Sequence, residues 1–248
     1  MYNGHRILAV IPARGGSKRI PRKNIKELNG LPLLAHSIRE ALESKLVDRV
    51  IVSTDDEEIA SIAVRYGADV PFMRPAELAA DKSPTVLCIE HALDELAAAG
   101  ESYDCAVTLQ PTNPLRSSDD IDKAIALFYE AGRRDVVSVV ECDDAPMLIR
   151  VAGDGGVLSK VYPAIEGDGG ELSSLVPHTS TIRTQDMPKL MKVSGDIYVN
   201  ASESIRAHCS MNDSPIGYTM PASRHADIDT IDDFMRTAAR MKSGNGEN

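Results

Sequence analysis

The 248-residue sequence contains no tryptophan, only three phenylalanines and seven tyrosines, and no long run of apolar residues. Without a stretch of about 18 apolar residues, it offers no candidate for a membrane-spanning helix. Aromatic residues make up 4% of the chain and the net charge is -10, so the sequence lacks both the stacking surface and the positive charge that nucleic-acid binding uses. These deficits predict neither a membrane partner nor a nucleic-acid partner.

Cysteines are few and scattered. Cys88, Cys105, Cys142 and Cys209 form no C-x-x-C pair and no cysteine–histidine spacing typical of zinc sites, which indicates reduced thiols in the core or in loops. The N-terminus has only a six-residue apolar run and no small-residue cleavage site, and is therefore not predicted to be a signal peptide. Together these features favour a cytoplasmic location.

Positive charge is concentrated near the N-terminus. Ile7 to Pro12 are apolar and predict a buried strand, which is followed by a polar loop with two adjacent glycines, Gly15 and Gly16. Five basic residues fall within ten positions of this loop: Arg14, Lys18, Arg19, Arg22 and Lys23. Glycines let a backbone approach a ligand closely, and N–H groups after a buried strand can face an anion. The loop is either a solvated basic surface or a triphosphate site, and its contrast with the acidic chain favours the second interpretation.

Two common phosphate-binding motifs do not fit this loop. A P-loop requires four residues and then Gly-Lys-Ser/Thr after its first glycine, whereas Gly15 and Gly16 are followed directly by Ser17 and Lys18. The dinucleotide fingerprint requires a third glycine, which is absent here. The loop therefore indicates neither an ordinary ATPase nor an NAD-dependent enzyme.

Short apolar strands alternate with amphipathic helices along the first 140 residues. This alternation predicts an α/β fold, a three-layer α/β/α sandwich with a mainly parallel, Rossmann-like sheet. Ligands bind such sheets beyond the carboxyl ends of the strands. The loops that carry Arg14, Asp55, Arg74 and Gln110 follow strands or strand-like stretches, and we expect them to converge there.

The alternation stops near Glu141. Residues 141–193 contain six glycines and show no helical period. We predict that this segment is a small β-rich insertion in an α/β domain made of residues 1–140 and 194–248. Insertions of this length usually serve a function or an interface.

Capping residues predict where two helices begin. Thr54, followed three residues later by Glu57, predicts a capping box for a helix that runs to about Tyr66. Ser117 or Ser118 is expected to cap the helix that follows residue 116.

A second motif, LQPTNPLR, spans Leu109 to Arg116. Its two prolines would fix a rigid turn at a strand end, so by itself it fits a structural turn as well as a binding loop. Together with ARGGSKRIPRKN at Ala13–Asn24, it resembles the CMP-sialic acid synthetases, also called acylneuraminate cytidylyltransferases. Three further stretches are similar to that family, Val52–Asp55, Arg74–Ala79 and Asp227–Thr230. The resemblance covers nearly the whole chain and is weakest over residues 141–193.

The resemblance implies a reaction and an assembly. CMP would be transferred from CTP to a nine-carbon 2-keto sugar acid, with Mg²⁺ as cofactor and release of pyrophosphate. The anomeric hydroxyl would attack the α-phosphorus, and fixed cations and N–H donors would stabilise the charge that builds on the phosphate oxygens. The family also implies a homodimer, in which residues 141–193 form the dimerisation arm and contribute sugar contacts.

The family motifs assign roles to individual residues. The catalytic residues would be Arg14, Lys23 and Asp229. The nucleotide-binding residues would be Arg14, Gly15, Gly16, Ser17, Lys18, Lys23, Asn24, Arg74, Thr85 and Gln110. The sugar-binding residues would be Gln110, Arg183 and Gln185. No general base is assigned, and His225 is left without a role because a lone histidine is more often structural.

Asp227 and Asp229 are the candidate ligands for Mg²⁺. In an extended segment residues i and i+2 face the same side, which suits two oxygens on one ion. Alternatively, Asp229 or Thr230 simply caps the last helix. The resemblance favours the metal interpretation.

Two departures from the family pattern bear on the sugar. Thr184 stands where many relatives have a second arginine, and Ser194-Gly195-Asp196 replaces the usual Asn-Gly-Ala. Arginine holds a carboxylate in a bidentate fork and threonine does not, so a bacterial relative such as legionaminic acid fits as well as sialic acid. The opening stretch also resembles pseudaminic acid enzymes, whereas LQPTNPLR does not.

Three other functions remain as alternatives. A 3-deoxy-octulosonate cytidylyltransferase has a similar first motif but carries Lys-Pro where this chain has Lys23-Asn24. A glycosyltransferase would use Asp227 and Asp229 to hold the metal of a nucleotide-sugar. A nucleotide-binding regulator would keep the site without turnover.

Overall fold

The computed structural model describes residues 2–142, 149–152, 157–160, 189–207, 211 and 215–244. The strands are β1 (Ile7–Pro12), β2 (Glu27–Leu28), β3 (Leu31–Pro32), β4 (Arg49–Ser53), β5 (Cys105–Thr108), β6 (Val136–Glu141), β7 (Arg150–Ala152), β8 (Leu158–Lys160), β9 (Met191–Ala201) and β10 (Ile216–Thr219). The α-helices are α1 (Leu33–Glu43), α2 (Glu57–Arg65), α3 (Thr85–Ala98), α4 (Ser118–Glu130), α5 (Ser202–Arg206) and α6 (Ile231–Gly244). None of the described helices is both long and apolar enough to cross a membrane.

Six strands form one mixed sheet in the order β10-β6-β9-β5-β1-β4. β1 pairs in parallel with β4 and β5, and β10 pairs in parallel with β6, whereas β9 runs antiparallel to β5. The helix α3 packs on one face of this sheet, where Leu8 and Val10 share a core cluster with Ile89 and Leu93. The predicted α/β fold with a mainly parallel sheet is confirmed.

The position of β1 determines where a ligand can bind. Every residue from Ile7 to Ile11 is fully buried, as expected for a strand that is covered on both faces. The loop after β1 therefore leaves the sheet between the carboxyl ends of β4 and β5. That crevice is the usual ligand position in sheets of this type.

The chain divides into two compact units. One comprises Met1–Val139 and Val193–Asn248, and the other comprises Val140–Lys192. Within the second unit, β7 pairs antiparallel with β8. Arg183 and Gln185 lie outside the described residues, and the predicted roles of this segment in dimerisation and sugar contact stay predictions.

Helix capping follows the sequence at one of the two predicted places. Ser117 caps α4 in a reciprocal box, because its Oγ accepts from the Asp120 N–H while the Asp120 carboxylate accepts from the Ser117 N–H at 3.0 Å. The prediction for α2 was wrong, because Asp56 is its N-cap and accepts from the Ile59 N–H at 2.9 Å. Thr54 is fully buried, and its carbonyl accepts from the Arg74 N–H at 2.7 Å. Because this bond holds Thr54 at the end of β4, Thr54 does not cap α2, which begins at Glu57 after the N-cap Asp56.

Asp120 also links α4 to the chain around β10. Its fully buried carboxylate accepts two hydrogen bonds from Arg224 and one from the Tyr218 hydroxyl, each at 2.8 Å. Burial by itself would raise the pKa of Asp120, but the hydrogen bonds from Arg224 and Ser117 outweigh it and lower the pKa to about 2. The ionised carboxylate is therefore part of the folded structure.

We expect this carboxylate to make stability depend on pH. Because its pKa is about 2 in the folded protein and about 3.9 in an unfolded chain, its contribution is complete above about pH 4 and is lost as the pH falls through about 2. The contribution is on the order of 2 kcal/mol. Urea unfolding of the wild type and of D120N between about pH 2 and pH 7 tests this. The difference in unfolding free energy should shrink at acid pH, and a constant difference would contradict the assignment.

Candidate active site

A cavity of about 500 Å³ lies at the crevice beyond β1. Its walls come from the loop after β1, the segment between α2 and α3, the start of α3, the loop after β5 and the segment before α6. Nine residues assigned by the sequence line it: Arg14, Ser17, Lys18, Lys23, Asn24, Arg74, Thr85, Gln110 and Asp229. Gly15 and Gly16 belong to the same loop but do not line the cavity, and neither does Asp227. The nucleotide-binding roles of the two glycines stay predictions.

Positive charge dominates the cavity wall. Its lining carries five cationic side chains, Arg14, Lys18, Arg19, Lys23 and Arg74, against the two carboxylates of Asp81 and Asp229. In a chain with a net charge of -10, this is a local reversal of sign. Clefts lined with one sign of charge concentrate ligands of the opposite sign, so the cavity is suited to an anion.

The loop after β1 folds back so that both of its ends face this cavity. Asn24 is buried, and its side-chain amide donates to the carbonyl of Arg14 at 2.9 Å. The Ala13 N–H donates to the carbonyl of Ser53 at 3.0 Å and ties the start of the loop to β4. These two bonds bring Arg14 and Lys23, nine positions apart in the sequence, to the wall of one cavity.

Position 15 has no room for a side chain, because the backbone of Gly15 packs closely against the segment that follows β4. Its N–H donates to Asp55 Oδ1 at 3.0 Å. A methyl group on Gly15 would lie 2.7 Å from Asp56 Oδ2 and 3.1 Å from Asp56 Cβ, whereas one on Gly16 would meet nothing within 4 Å. Asp56 has little freedom to withdraw, because it caps α2 and pairs with Arg22.

We therefore expect the two adjacent glycines to respond differently to the same substitution. G15A should lower the free energy of unfolding by about 1–3 kcal/mol, because the new methyl group overpacks against Asp56. G16A should change it by less than about 0.5 kcal/mol. Urea unfolding of both variants provides the measurement, with G16A as the matched control. Equal effects would show that Asp56 yields to the methyl group.

Arg22 is the one basic residue of the loop that does not line the cavity. Its backbone has a φ of 55°, in the left-handed region, and its guanidinium pairs with Asp56 and Glu58. The hydrogen bond from Arg22 lowers the pKa of Asp56. Arg22 therefore stabilises the beginning of α2, and four of the five loop cations remain for the cavity.

The four loop cations are held in two bridges, each centred on one carboxylate. Asp81 Oδ1 lies 3.0 Å from Arg14 Nη1, and Asp81 Oδ2 contacts Lys18 Nζ. Asp229 Oδ2 lies 2.9 Å from Arg19 Nη1, and Asp229 Oδ1 lies 3.2 Å from Lys23 Nζ. The sequence pointed to Asp229 but not to Asp81.

Arg74 and Cys88 form the wall next to β4. The buried Arg74 guanidinium donates to Ser53 Oγ at 3.1 Å and also to the Ser53 carbonyl. The Cys88 thiol donates to the same Oγ at 3.3 Å. Burial raises the pKa of Cys88, which keeps the thiol protonated and unreactive. Cys88 thus serves as packing and Arg74 as a fixed cation.

The N-terminus of α3 adds a second source of positive potential. This helix begins at Thr85, and Ser83 and Pro84 also line the cavity. No side chain caps this helix end. The N–H groups at a helix N-terminus and the helix dipole favour an anion at such a position.

The second motif is built around the buried side chain of Arg116. Its Nη1 donates to the carbonyls of Gln110, Asn113 and Asp196 at 3.0, 2.8 and 3.1 Å, and its Nη2 donates to Ser37 Oγ. Burial lowers the pKa of Arg116 to about 10, so it is still charged at neutral pH. The turn that it holds places Gln110 and Thr112 on the cavity wall. The motif is therefore both a structural turn and part of the site.

The segment before α6 carries the two candidate metal ligands. Ala226 and Ile228 are buried, which agrees with an extended segment whose alternate residues Asp227 and Asp229 face the other way. The last helix is capped by Thr230, whose Oγ accepts from the Asp233 N–H at 3.2 Å. Asp229 is therefore not its cap.

The chemistry of Asp227 and Asp229 fits a magnesium ion. Asp227 and Asp229 are two residues apart in this extended segment, and burial, and then the charge of Asp229, raise the pKa of Asp227. The two carboxylates therefore repel each other. A divalent cation relieves such repulsion, and Mg²⁺ usually takes one or two carboxylates together with waters and substrate phosphates. Among the described residues, no group of three or more metal-binding side chains is present.

Asp196 and His225 form a partly buried pair that the sequence did not predict. The Asp196 carboxylate is fully buried, and its Oδ2 lies 2.8 Å from His225 Nδ1. This bond ties β9 to the segment that carries Asp227. The one feature of the sequence that pointed to this pair was Asp196 itself, which stands where the family usually has the alanine of Asn-Gly-Ala. The sequence assigned no role to His225, and the structure gives it Asp196 as a partner.

The chain is similar to known cytidylyltransferases. A family model described as cytidylyltransferase matches residues 8–147. A CMP-N,N'-diacetyllegionaminic acid synthase from Legionella pneumophila is 34% identical over 244 residues, covering 96% of this chain and 97% of that protein. A pseudaminic acid cytidylyltransferase from Campylobacter jejuni is 31% identical and covers 92% of both chains.

The fold is shared with solved nucleotide-binding enzymes. A structure of CMP:2-keto-3-deoxy-manno-octonic acid synthetase complexed with CTP superposes with a TM-score of 0.68 at 16% identity, covering 96% of this chain and 99% of that one. The parallel sheet, the basic cavity and these similarities define a nucleotidyltransferase. The chain belongs to the CMP-sialic acid synthetase family of cytidylyltransferases.

Proposed function

We propose that this protein transfers CMP from CTP to a nine-carbon 2-keto sugar acid and releases pyrophosphate. The observation that carries the proposal is the composition of the cavity wall. It includes nine residues assigned by the family motifs, and five of its side chains are cationic, four of them among those nine. A legionaminic-type acid is the favoured acceptor, because a synthase of that class is 34% identical over nearly the whole chain.

The chain's own residues account for binding of the triphosphate. Arg14, Lys18 and Lys23 supply positive charge on the side of the loop after β1, and Arg74 supplies it on the side of β4. The N-terminus of α3 adds backbone donors between them. A charged group in such a fixed and partly buried setting needs little reorganisation as charge develops, which is the condition for strong transition-state stabilisation.

Attack by the anomeric hydroxyl breaks the bond between the α- and β-phosphates. The new bond joins the sugar oxygen to the α-phosphorus, the hydroxyl loses its proton, and the electron pair of the broken bond leaves with pyrophosphate. Charge grows on the α-phosphate oxygens and on the leaving group. Lys23 is suited to this charge because only 14% of its side chain is exposed, and electrostatic interactions strengthen as water is excluded.

Asp227 and Asp229 would hold Mg²⁺ at the rim of this site. When bound, the ion would neutralise phosphate charge and lower the pKa of an attacking hydroxyl. The homodimer and the cytoplasmic location belong to the same proposal. The family resemblance supports the dimer, and the scattered cysteines support the location. Light scattering of the purified protein would test the dimer.

Pyrophosphate release from each of the four NTPs, with Mg²⁺ and a panel of nonulosonic and octulosonic acids, tests the reaction. Of the four NTPs we expect only CTP to be turned over, and of the acids only those with nine carbons to accept CMP. Turnover with octulosonic acids alone would identify the eight-carbon type of cytidylyltransferase. CTP binding without turnover would favour a regulator, and sugar transfer from a nucleotide-sugar without pyrophosphate would favour a glycosyltransferase.

A further inference from the structure

Asp81 occupies a position that the proposed reaction does not explain. It lies between the 3₁₀-helix Ala76–Ala79 and the beginning of α3, on the wall of the cavity. Its two carboxylate oxygens are divided between two cations, with Oδ1 on Arg14 at 3.0 Å and Oδ2 on Lys18. The hydrogen bond from Lys18, followed by the charges of Lys18 and Arg14, lowers the pKa of Asp81.

A carboxylate in this position presents the same chemistry as a phosphate group. Each offers oxygen acceptors with negative charge to a guanidinium and an ammonium group. Arg14 and Lys18 are both residues that the family motifs assign to nucleotide binding. A triphosphate bound to them would take over the contacts that Asp81 now makes.

We infer that Asp81 is a competing internal anion, which holds Arg14 and Lys18 before CTP binds and takes them back as pyrophosphate leaves. This inference rests on the proposed function for its physiological ligand. Asp81 is a positioning residue, because it acts on the reaction through the two cations and not on the reacting atoms.

The exchange is feasible because the bridge is weak. The side chains of Lys18 and Asp81 are 79% and 41% exposed, and ion pairs with such exposure contribute little net free energy. A triphosphate, with several negative charges, displaces a single carboxylate at small cost. After the reaction, a carboxylate already tethered to the wall competes with the departing pyrophosphate at high effective concentration.

Asp81 gives a cleaner test of this exchange than Asp229 does. Asp229 makes an equivalent bridge to Arg19 and Lys23, but it is also a candidate metal ligand. A change at Asp229 would therefore combine two effects. Asp81 has no such second assignment.

Calorimetric titration with inorganic tripolyphosphate, without metal or nucleotide, tests the inference directly. In D81N and D81A the dissociation constant should fall at least about threefold, because the cations no longer have a competing carboxylate. The gain should shrink as ionic strength rises, since exposed charges are screened. A merely structural role would produce no gain in affinity. D119N is the matched control, because Asp119 forms an exposed pair with Lys123 at 2.6 Å on α4.

Steady-state kinetics supply the second measurement. In D81N the KM for CTP should fall and inhibition by pyrophosphate should strengthen by a similar factor, without an increase in kcat. Unchanged or weaker tripolyphosphate binding in both Asp81 variants, with thermal midpoints equal to that of the wild type, would overturn the inference. If the wild type shows no turnover of CTP but D81N still binds tripolyphosphate more tightly, the inference stands and the proposed function fails.

Discussion

Replacing Lys23 with methionine is expected to reduce kcat/KM for CTP by about 10²- to 10³-fold. The Lys23 ammonium group donates to the carbonyl of Ile228 at 2.7 Å and pairs with Asp229 at 3.2 Å. These contacts use two of its three donors and fix it at the cavity wall, which leaves one donor for a ligand. Methionine keeps most of the side-chain volume and removes the charge. The variant should therefore lose the stabilisation that this charge gives to the transition state, while the packing is largely kept.

Steady-state kinetics with CTP and the best acceptor acid provide the measurement. K26M is the matched control, because the Lys26 ammonium lies over the Phe234 ring, 5.6 Å from its centroid, and does not line the cavity. We expect K26M to stay within about threefold of the wild type. A K23M variant with unchanged kcat and only a raised KM would mean that Lys23 binds the ground state and the transition state equally.

Replacing Arg116 with methionine is expected to lower the free energy of unfolding by at least about 4 kcal/mol. The substitution leaves three backbone carbonyls and Ser37 Oγ without the donor that they now share. Each buried acceptor that loses its partner costs about 1–3 kcal/mol. The turn from Gln110 to Arg116 should loosen, and with it the part of the cavity wall that this turn supplies.

Urea unfolding at neutral pH measures this loss, and CTP titration reports its effect on the site. R39M is the control, because the Arg39 side chain is 53% exposed and lies 4.0 Å from Glu43 on α1. R116K keeps the charge but not the fork that reaches several acceptors, so it should recover only part of the stability. A stability of R116M close to that of R39M would show that the carbonyls find other partners.

The sequence by itself determined the class of fold and the location of the cavity. The apolar run Ile7–Pro12 is predictable as a central strand because a strand buried on both faces must be continuously apolar. The basic loop after it, and LQPTNPLR after β5, could then be placed at one sheet edge from the direction of parallel strands. These features depend only on residues that are neighbours in the sequence, and they can therefore be predicted without the tertiary structure.

The partners of individual side chains were decided only by the tertiary structure. Asp81 meets Arg14 and Lys18, Asp196 meets His225, and Arg22 turns away from the cavity to Asp56 and Glu58. These partners are separated by tens of residues, and composition and periodicity carry no information on which charge meets which. Five basic residues in ten positions predict an anion site, but the packing of the loop against α2 determines that four of them serve it. Gly15 is a glycine for the same reason, since its neighbour in space is Asp56.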